Sequence, residues 1–519
     1  MKTCEGYLYK RDGTFQQGLV CTGAILPPTN ISPSSSEIFD VIVLGAGFAG
    51  LTACRDLTLS GYKVLLLDAR DRVGGRTYTA NVDGHLYEMG GTWVHWQQPH
   101  VYREMSRYGF TKMVDSINSD TGCNYSTVTV NGETTHLNKD DEFNAVTKSV
   151  EEFCNVDGES GRLIMPFPHD PHFNPEVAEY EKLSAAERME QVRSKLNDLQ
   201  IVVLEAAISA SSGNSLENTS FFEILRWWAL CNYSITGLSD FTERYKIAAG
   251  QSEFARAFFD EALATGNLSY SFGTHIRSVK DYGNMVALFS RSGEHFSGKR
   301  AVCTVPLNIL HELKFEPNLP QKKTSASHQG HMNFCSKYHI EVQGANMRSW
   351  TAIAPPESRF ISVLSDGLNP AGNTQLVGFA HESPVQGQEE GRDVLATAKK
   401  IHEMDIKKVV RILYLYTYCS FTYEATSYQV WHNWVADPFS RGTWAMFPPN
   451  FSFKYLEALR QRHGNVLFAS GDWALGWRGF IDGAVEEGTR VAKEIAVELS
   501  HPHPVAPSSQ TKAYIKPLL

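Results

Sequence analysis

The sequence lacks the cysteine patterns of disulfide-stapled and zinc-binding proteins. Its 519 residues include nine cysteines, and no CxxC or Cys/His pair has the spacing of metal ligands. A disulfide framework, which needs pairs of cysteines, is therefore not expected, and we predict no metal site. The odd count favours reduced thiols without a catalytic role.

The chain also lacks long basic and long apolar runs. It carries 48 Lys+Arg against 57 Asp+Glu, a net charge of −9, which argues against a nucleic-acid or anionic-membrane surface. The longest apolar stretch, residues 41–54, is interrupted by glycines, and the N-terminus has no apolar signal core. The final Pro517-Leu518-Leu519 does not match a peroxisomal Ser-Lys-Leu address. We expect a soluble intracellular protein, cytoplasmic or peroxisomal, that binds no membrane.

Residues 39–69 carry a dinucleotide-binding pattern in its full context. Gly45-x-Gly47-x-x-Gly50 follows a short apolar strand and opens a helix, and a second strand then ends at Asp68. The glycines allow a tight turn, a close backbone approach to a pyrophosphate and close helix–strand packing. Asp68 is placed to accept a hydrogen bond from a ribose hydroxyl. An ordinary glycine-rich turn is the alternative, but it does not explain why all these parts occur in register.

A second glycine-rich segment follows at residues 69–77, with Gly74 between Arg70 and Arg76. A phosphate that needs a bidentate partner explains Arg76 better than a solvated basic loop does. Further on, the pair Gly90-Gly91 suits a backbone packed against a flat ring system.

A third segment, residues 466–488, combines a strand at 466–469 with Asp472 and a helix that begins near Ile481. Asp472 either bonds a polyol hydroxyl or caps a helix, and spacing alone does not separate the two. The helix could point N–H groups at the electron-rich edge of a flavin.

Together these segments resemble the flavin-containing monoamine oxidases, and within them the soluble fungal monoamine oxidase N subgroup. The resemblance spans about residues 17–497 and rests on near-verbatim strings such as GGTWVHW at 90–96 and GDWALGWRGFIDGAVEEGTR at 471–490. It implies an α/β fold in which a two-dinucleotide-binding (Rossmann-like) FAD domain is interleaved with an α+β substrate domain. The implied boundaries are an N-terminal extension at 1–36, an FAD domain at 37–110, 250–322 and 436–498, a substrate domain at 111–249 and 323–435, and a flexible tail at 499–519.

The resemblance implies FAD as the cofactor. Asp68 stands where most family members have glutamate, and Thr443 matches the position that carries the flavin-linking cysteine in the membrane-bound animal members, so we expect noncovalent FAD. Without the resemblance, Ile276 would equally be a core strand residue. The residues implied to contact FAD are Gly45, Gly47, Gly50, Asp68, Arg70, Gly74, Arg76, Gly90, Gly91, Ile276, Asp472 and Ile481.

The resemblance also assigns the substrate side. Trp444 and Phe480 match an aromatic pair that stands on the flavin face, and Lys337 matches a lysine that holds a water near flavin N5. Composition alone favours a different interpretation, in which the two aromatic residues belong to the core and the lysine lies at the surface. If residues 331–339 form one strand, Asn333 shares a face with Lys337 and lines the pocket. The remaining candidates, Trp227 and Trp228, form either a pocket wall or plain helix packing.

The implied function is the oxidation of a small primary or secondary amine, with O2 reduced to H2O2. A polyamine or L-amino-acid oxidase, an NAD-dependent dehydrogenase and a noncatalytic flavin-binding protein remain possible, and we leave a homodimer open. The noncatalytic possibility rests on residues 407–423, an aromatic and β-branched run where the family pattern has a short polar connector.

Overall fold

The structure is a computed structural model with most of the chain described. The segment at 407–423 and the last residues of the expected tail lie outside the described residues. The described residues are 1–10, 12–31, 37–116, 125–131, 133–331, 333–345, 347, 350–353, 360–381, 385–394, 396–397 and 426–500.

Strands and helices alternate along the described chain. The strands are β1 (Tyr7–Lys10), β2 (Phe15–Gln17), β3 (Ile38–Leu44), β4 (Val64–Leu67), β5 (Thr79–Val82), β6 (His85–Glu88), β7 (Met113–Asp115), β8 (Tyr125–Val130), β9 (Glu133–Asn138), β10 (Tyr245–Ile247), β11 (Leu268–Ser271), β12 (Ile276–Asp281), β13 (Val286–Ser290), β14 (His295–Cys303), β15 (Lys314–Glu316), β16 (Ser336–Val342), β17 (Thr351–Ile353), β18 (Phe360–Leu368), β19 (Thr374–Ala380), β20 (Thr426–His432) and β21 (Val466–Phe468). The α-helices are α1 (Phe48–Leu59), α2 (Pro99–Tyr108), α3 (Lys139–Cys154), α4 (Val177–Glu181), α5 (Ala185–Val192), α6 (Asp198–Ser212), α7 (Phe221–Leu230), α8 (Ile235–Glu243), α9 (Gln251–Ala264), α10 (Gln321–Gln329), α11 (Ser452–Arg460) and α12 (Ile481–Ser500).

An eight-stranded sheet holds the predicted nucleotide-binding segments. Its order is β11-β4-β3-β14-β13-β12-β15, and β21 also pairs with β14. The strands β11, β4, β3, β14 and β21 run parallel, and every residue of β4 is buried. A parallel sheet needs cover on both faces, which explains why its strands are continuous apolar runs. Helix α1 provides cover on one face, in a core shared with α9 and α12.

A nine-stranded sheet forms the second layer of the molecule, in the order β2-β1-β20-β16-β19-β18-β17-β8-β9. Its strands are antiparallel except where β17 pairs with β8. The N-terminal strand β1 pairs with β20, so that Tyr7 lies opposite Trp431. Strand β16, which carries Lys337, is buried along its whole length.

The local elements around the first fingerprint agree with the sequence-based prediction to within a few residues. Residues 331–339 do not form one strand, because β16 begins only at Ser336. Asn333 precedes the strand, so the condition for a face shared by Asn333 and Lys337 is not met. The domain boundaries stay a prediction. Within the described part of the chain, no helix combines the length and apolar character that crossing a membrane requires.

Candidate active site

A continuous cavity of about 790 Å³ opens at the carboxyl ends of β3 and β4 and reaches the nine-stranded sheet. Ligands of open α/β sheets bind at this end of the strands. The predicted residues that line the cavity are Gly45, Gly47, Asp68, Arg70, Gly74, Arg76, Gly90, Gly91, Trp227, Ile276, Lys337, Trp444, Asp472, Phe480 and Ile481.

The first glycine turn leads from β3 into the N-terminus of α1. Gly45 has φ +110°, a conformation that residues with a side chain rarely adopt. Gly47 is the N-cap of α1 and supplies no side-chain cap, so free N–H groups of the first turn face the cavity. Gly50 does not line the cavity. A Cβ there would lie 1.9 Å from the Gly45 carbonyl oxygen, so this glycine permits the close turn rather than a ligand contact.

Asp68 directly follows β4 at the cavity wall. Its Oδ2 accepts a hydrogen bond from the Ala46 amide at 2.6 Å, and its Oδ1 accepts one from the Arg70 amide at 2.7 Å. Burial raises the pKa of Asp68, although these two amides oppose the shift. The carboxylate thus links the two glycine-rich segments and retains lone pairs for a ligand hydroxyl.

Arg76 and Asp472 meet across the cavity, with Nη2 of the arginine 2.7 Å from Oδ1 of the aspartate. Arg76 also donates to the Thr443 carbonyl oxygen at 2.6 Å. Burial alone would raise the pKa of Asp472, but the Arg76 guanidinium holds it below its usual value. A segment after β4 and the segment before α12 therefore share one polar contact in the cavity.

The guanidinium of Arg70 is held by acids rather than left free. It makes two hydrogen bonds to Asp437, at 2.7 and 3.0 Å, and pairs with Glu5 from the N-terminal segment. Phe439 covers it at 5.4 Å. Arg70 reaches the cavity with its charge already compensated.

The lysine Lys337 lies buried where the cavity enters the nine-stranded sheet. Its Nζ donates to Thr92 Oγ1 at 2.5 Å and to the Gly90 carbonyl oxygen at 3.3 Å, and it lies 4.7 Å from the ring centre of Trp93. Burial lowers the pKa of Lys337 to about 8, although Asp366 and Glu88 oppose the shift. An ammonium has three donors, so one remains for a water or a substrate atom.

Aromatic side chains line the cavity beside this lysine. Trp444 is fixed by its Nε1, which donates to the Ser211 carbonyl oxygen at 2.8 Å. Phe480 packs on Trp227, with ring centres 4.8 Å apart, and on Trp477 at 5.0 Å. These contacts fix apolar ring surfaces in this part of the cavity wall.

The comparisons with known proteins decide the family. A family model described as flavin containing amine oxidoreductase matches residues 48–496. This chain belongs to that family. Membership supports a flavin cofactor, and the residues around the cavity fit FAD. They offer the open N-terminus of α1 for a pyrophosphate, the Asp68 carboxylate for a ribose and glycine backbone for a flat ring.

Named relatives agree with this assignment. Pseudooxynicotine dehydrogenase of Pseudomonas sp is 31% identical over 90% of this chain and 88% of its own length. The flavin-containing amine oxidase A of Equus caballus is 24% identical over 89% and 85%, respectively. Among solved structures, cyclohexylamine oxidase from Brevibacterium oxydans superposes with a TM-score of 0.67 at 18% identity, covering 89% of this chain and all of that one. The predicted monoamine oxidase resemblance and α/β fold are thereby confirmed, whereas the fungal subgroup stays a prediction.

Two predicted pocket residues do not line the cavity of this flavin amine oxidoreductase. Trp228 points the other way along α7 and donates its Nε1 to the Ser160 carbonyl oxygen at 2.9 Å, within a separate core. Asn333 lies behind Thr443, whose Oγ1 donates to the Asn333 Oδ1 at 2.5 Å. Trp228 therefore packs in a separate core, and Asn333 positions Thr443. Neither residue forms part of the cavity wall.

Several wall residues were not predicted from the sequence. Trp93 lies in the conspicuous string at 90–96 and could have been found there. No local sequence pattern identifies Phe379, on β19, as a wall residue. None identifies the small and apolar residues that helix α6 contributes to the cavity wall. These α6 residues are Val203, Ala206, Ala207, Ala210 and Ser211.

Proposed function

We propose that this chain is an FAD-dependent amine oxidase that converts primary or secondary amines to imines, which water then hydrolyses to an aldehyde or ketone. One observation carries the proposal. A single cavity joins the glycine-rich nucleotide segments to an apolar chamber that contains Lys337, Trp444 and Phe480. A redox cofactor and a small apolar amine could therefore meet in one water-poor space.

We propose that FAD is bound without a covalent link. Residues of the cavity wall would hold it: Gly45 and Gly47 at the pyrophosphate, Asp68 at the ribose, and Arg76 and Asp472 near the centre. Thr443 also stands at the cavity wall, and its hydroxyl cannot form the thioether that a cysteine forms. When bound, FAD supplies the acceptor for the two electrons that leave the amine.

The protein's own groups would orient the amine and remove its proton. Trp444 and Phe480 would hold the uncharged amine by their ring faces, because partly buried rings packed on other apolar groups favour a neutral amine over a hydrated ammonium. Lys337, with its pKa lowered to about 8, would hold a water molecule or a proton beside the reacting carbon. The substrate loses a hydride equivalent from its α-carbon and a proton from its nitrogen.

We propose O2 as the electron acceptor, with H2O2 as the product. A second candidate is the same amine oxidation with a different acceptor. It is favoured by the 31% identical relative, which is named a dehydrogenase rather than an oxidase. Lys337, Trp444 and Phe480 would act on the amine in either case, so both candidates use the same site.

An L-amino-acid oxidase, an NAD-dependent dehydrogenase and a noncatalytic flavin-binding protein find less support. The amino-acid enzyme needs a free cation for the substrate carboxylate. Of the described arginines that line the cavity, Arg70 and Arg76 already pair with Asp437 and Asp472, and Arg277 and Arg291 flank Ile276. An NAD-dependent dehydrogenase would not need the second and third glycine-rich segments. A noncatalytic flavin-binding protein would not need a buried lysine beside aromatic rings.

Anaerobic bleaching of the purified yellow protein against a library of amines tests the proposal. The library should contain benzylamine, alkyl amines, diamines, spermine, secondary amines that carry a pyridyl ring, and amino acids. We expect loss of flavin absorbance with apolar amines and none with amino acids. Adding oxygenated buffer or an artificial quinone then identifies the acceptor, since rapid recovery with peroxide release indicates an oxidase. A flavin that no amine bleaches would refute the enzyme assignment.

A further inference from the structure

Glu243 is an acid in the cavity wall that the proposed chemistry does not use. It is the last residue of α8, and its side chain lines the cavity beside Thr242. The residue is exposed, yet burial raises the pKa of its carboxyl group. Both observations are explained if the carboxylate faces the space inside the cavity rather than bulk water.

No described cation compensates this carboxylate. Burial is the sole cause of its pKa shift, with no basic group lowering the pKa. The two cations that follow most closely along the chain are already engaged. Arg244 pairs with Asp115 at 2.9 Å and with Asp240 at 2.8 Å, and Lys246 pairs with Asp366 at 2.6 Å. The C-terminal end of α8 adds negative potential from its free carbonyl groups.

A short chain of contacts connects the backbone of Glu243 to the wall that carries Trp93. Trp93, whose ring lies 4.7 Å from the Nζ of Lys337, donates its Nε1 to Ser116 Oγ at 3.0 Å. Ser116 Oγ in turn lies 3.3 Å from the carbonyl oxygen of Glu243. The backbone of Glu243 thus belongs to the same wall as Trp93, and Glu243 itself lines the cavity.

We propose that Glu243 binds a second, distal ammonium group of the substrate, so that the preferred substrates are diamines or amines with a remote cationic group. The inference rests on the proposed amine oxidase function and names the substrate class of the same site. An uncompensated carboxylate in a cavity is costly on its own. It becomes favourable when a cation pairs with it and shares its desolvated space. The reacting nitrogen would be neutral between the rings, while the distal nitrogen stays charged at Glu243.

Kinetics with matched substrates test this assignment. The wild-type holoenzyme is assayed with n-alkyl monoamines and α,ω-diamines of equal chain length, and the ratio of kcat/KM for each pair is recorded. We expect a ratio of about ten or more at one best length, because a hydrogen bond to a charged group contributes that much selectivity. In Glu243→Gln the ratio should fall about tenfold, and Glu243→Asp should recover part of it. Glu159→Gln, at an exposed glutamate outside the cavity wall, is the matched control.

The outcomes separate this inference from the amine oxidase proposal. A wild-type ratio near one at every chain length overturns the role of Glu243, even if a variant fails to fold. An unchanged ratio in Glu243→Gln does the same. Monoamines that still bleach the flavin in those cases leave the amine oxidase proposal intact. A preference for amines with a distal pyridyl ring over diamines would show that a protonated Glu243 donates to a neutral acceptor, which also overturns the cationic substrate class.

Discussion

Lys337 uses two of its three N–H donors on protein oxygens, so its third donor and its proton are available to the cavity. We predict that Lys337→Met slows flavin reduction by about 100-fold, the usual scale of a lost acid–base group. FAD binding should change little, because the lysine donates no described hydrogen bond to the phosphate-binding turn. Anaerobic stopped-flow reduction and the flavin absorbance spectrum measure the two effects separately.

The buried lysine Lys323 provides the control. Its Nζ donates to two carbonyl oxygens outside the cavity, and burial lowers its pKa to about 7. Lys323→Met should cost stability but leave the reduction rate of the folded enzyme near that of the wild type. The wild-type rate should also rise with pH through about 8, where Lys337 loses its proton, and this inflection should be missing in Lys337→Met. Unchanged reduction kinetics in Lys337→Met would remove the lysine from the mechanism.

Trp444 forms part of the cavity wall, and a hydrogen bond to Ser211 fixes its indole ring. We predict that Trp444→Ala changes the ranking of amines by kcat/KM while the flavin spectrum stays normal, because the indole contacts α6 and β19 rather than the glycine-rich turns. Trp96→Ala, at an exposed tryptophan outside the cavity wall, should leave the ranking unchanged. Loss of bound FAD in Trp444→Ala would instead mean that this tryptophan is structural.

At the scale of elements, the N-terminal segment packs against the second glycine-rich segment at the cavity wall. Glu5 pairs with Arg70 and Arg72 from the second glycine-rich segment, and β1 continues the nine-stranded sheet beside β20. We predict that Glu5→Gln destabilises the protein by about 3 kcal/mol, because it leaves two buried arginines with one fewer acid. The Kd for FAD should rise as well, since Arg70 lines the cavity. Thermal unfolding and flavin titration measure these changes.

The pH dependence of this effect has a definite sign. Burial would raise the pKa of Glu5, but Arg72 and Arg70 lower it from 4.5 to about 2. The stabilisation is therefore fully present above pH 4.5 and is lost as the pH falls through about 2. The difference in Tm between wild type and Glu5→Gln should be constant from about pH 5 to 8 and shrink in acid. Glu37→Gln, which breaks an exposed ion pair with Lys63, should show no comparable difference.

Elements with local signals were predictable from the sequence, whereas contacts between distant segments were not. The turn at Gly45, the acid at Asp68 and the helix start at Ile481 are each encoded within a few neighbouring residues. The pairing of β1 with β20, and the ion pairs of Glu5, join residues far apart in the chain. The position of Asn333 outside the strand could not be predicted for the same reason, because the start of β16 depends on its sheet partners rather than on local residue types.

For the molecule as a whole, the cavity exists only when remote segments assemble. Its wall combines Gly45 and Asp68 with Ile276, Lys337 and Ile481, from both sheets. An unfolded chain therefore has no FAD site, and FAD must stabilise the folded state in proportion to the logarithm of its concentration once the site is saturated. This linkage also distinguishes a noncovalent cofactor from a covalent one, since only a noncovalent cofactor can be removed and returned.

We predict that acid precipitation releases yellow FAD into the supernatant and leaves a colourless protein. The refolded apoprotein should unfold at a lower temperature than the holoprotein, and FAD at about 1,000 times its Kd should restore about 4 kcal/mol. FMN, which lacks the adenosine half that the Asp68 and Ile276 end of the cavity would hold, should restore less. Differential scanning fluorimetry with added FAD or FMN measures both effects. Flavin that stays with the precipitated chain would contradict noncovalent binding, and equal stabilisation by FMN would contradict the assignment of Asp68 to the ribose.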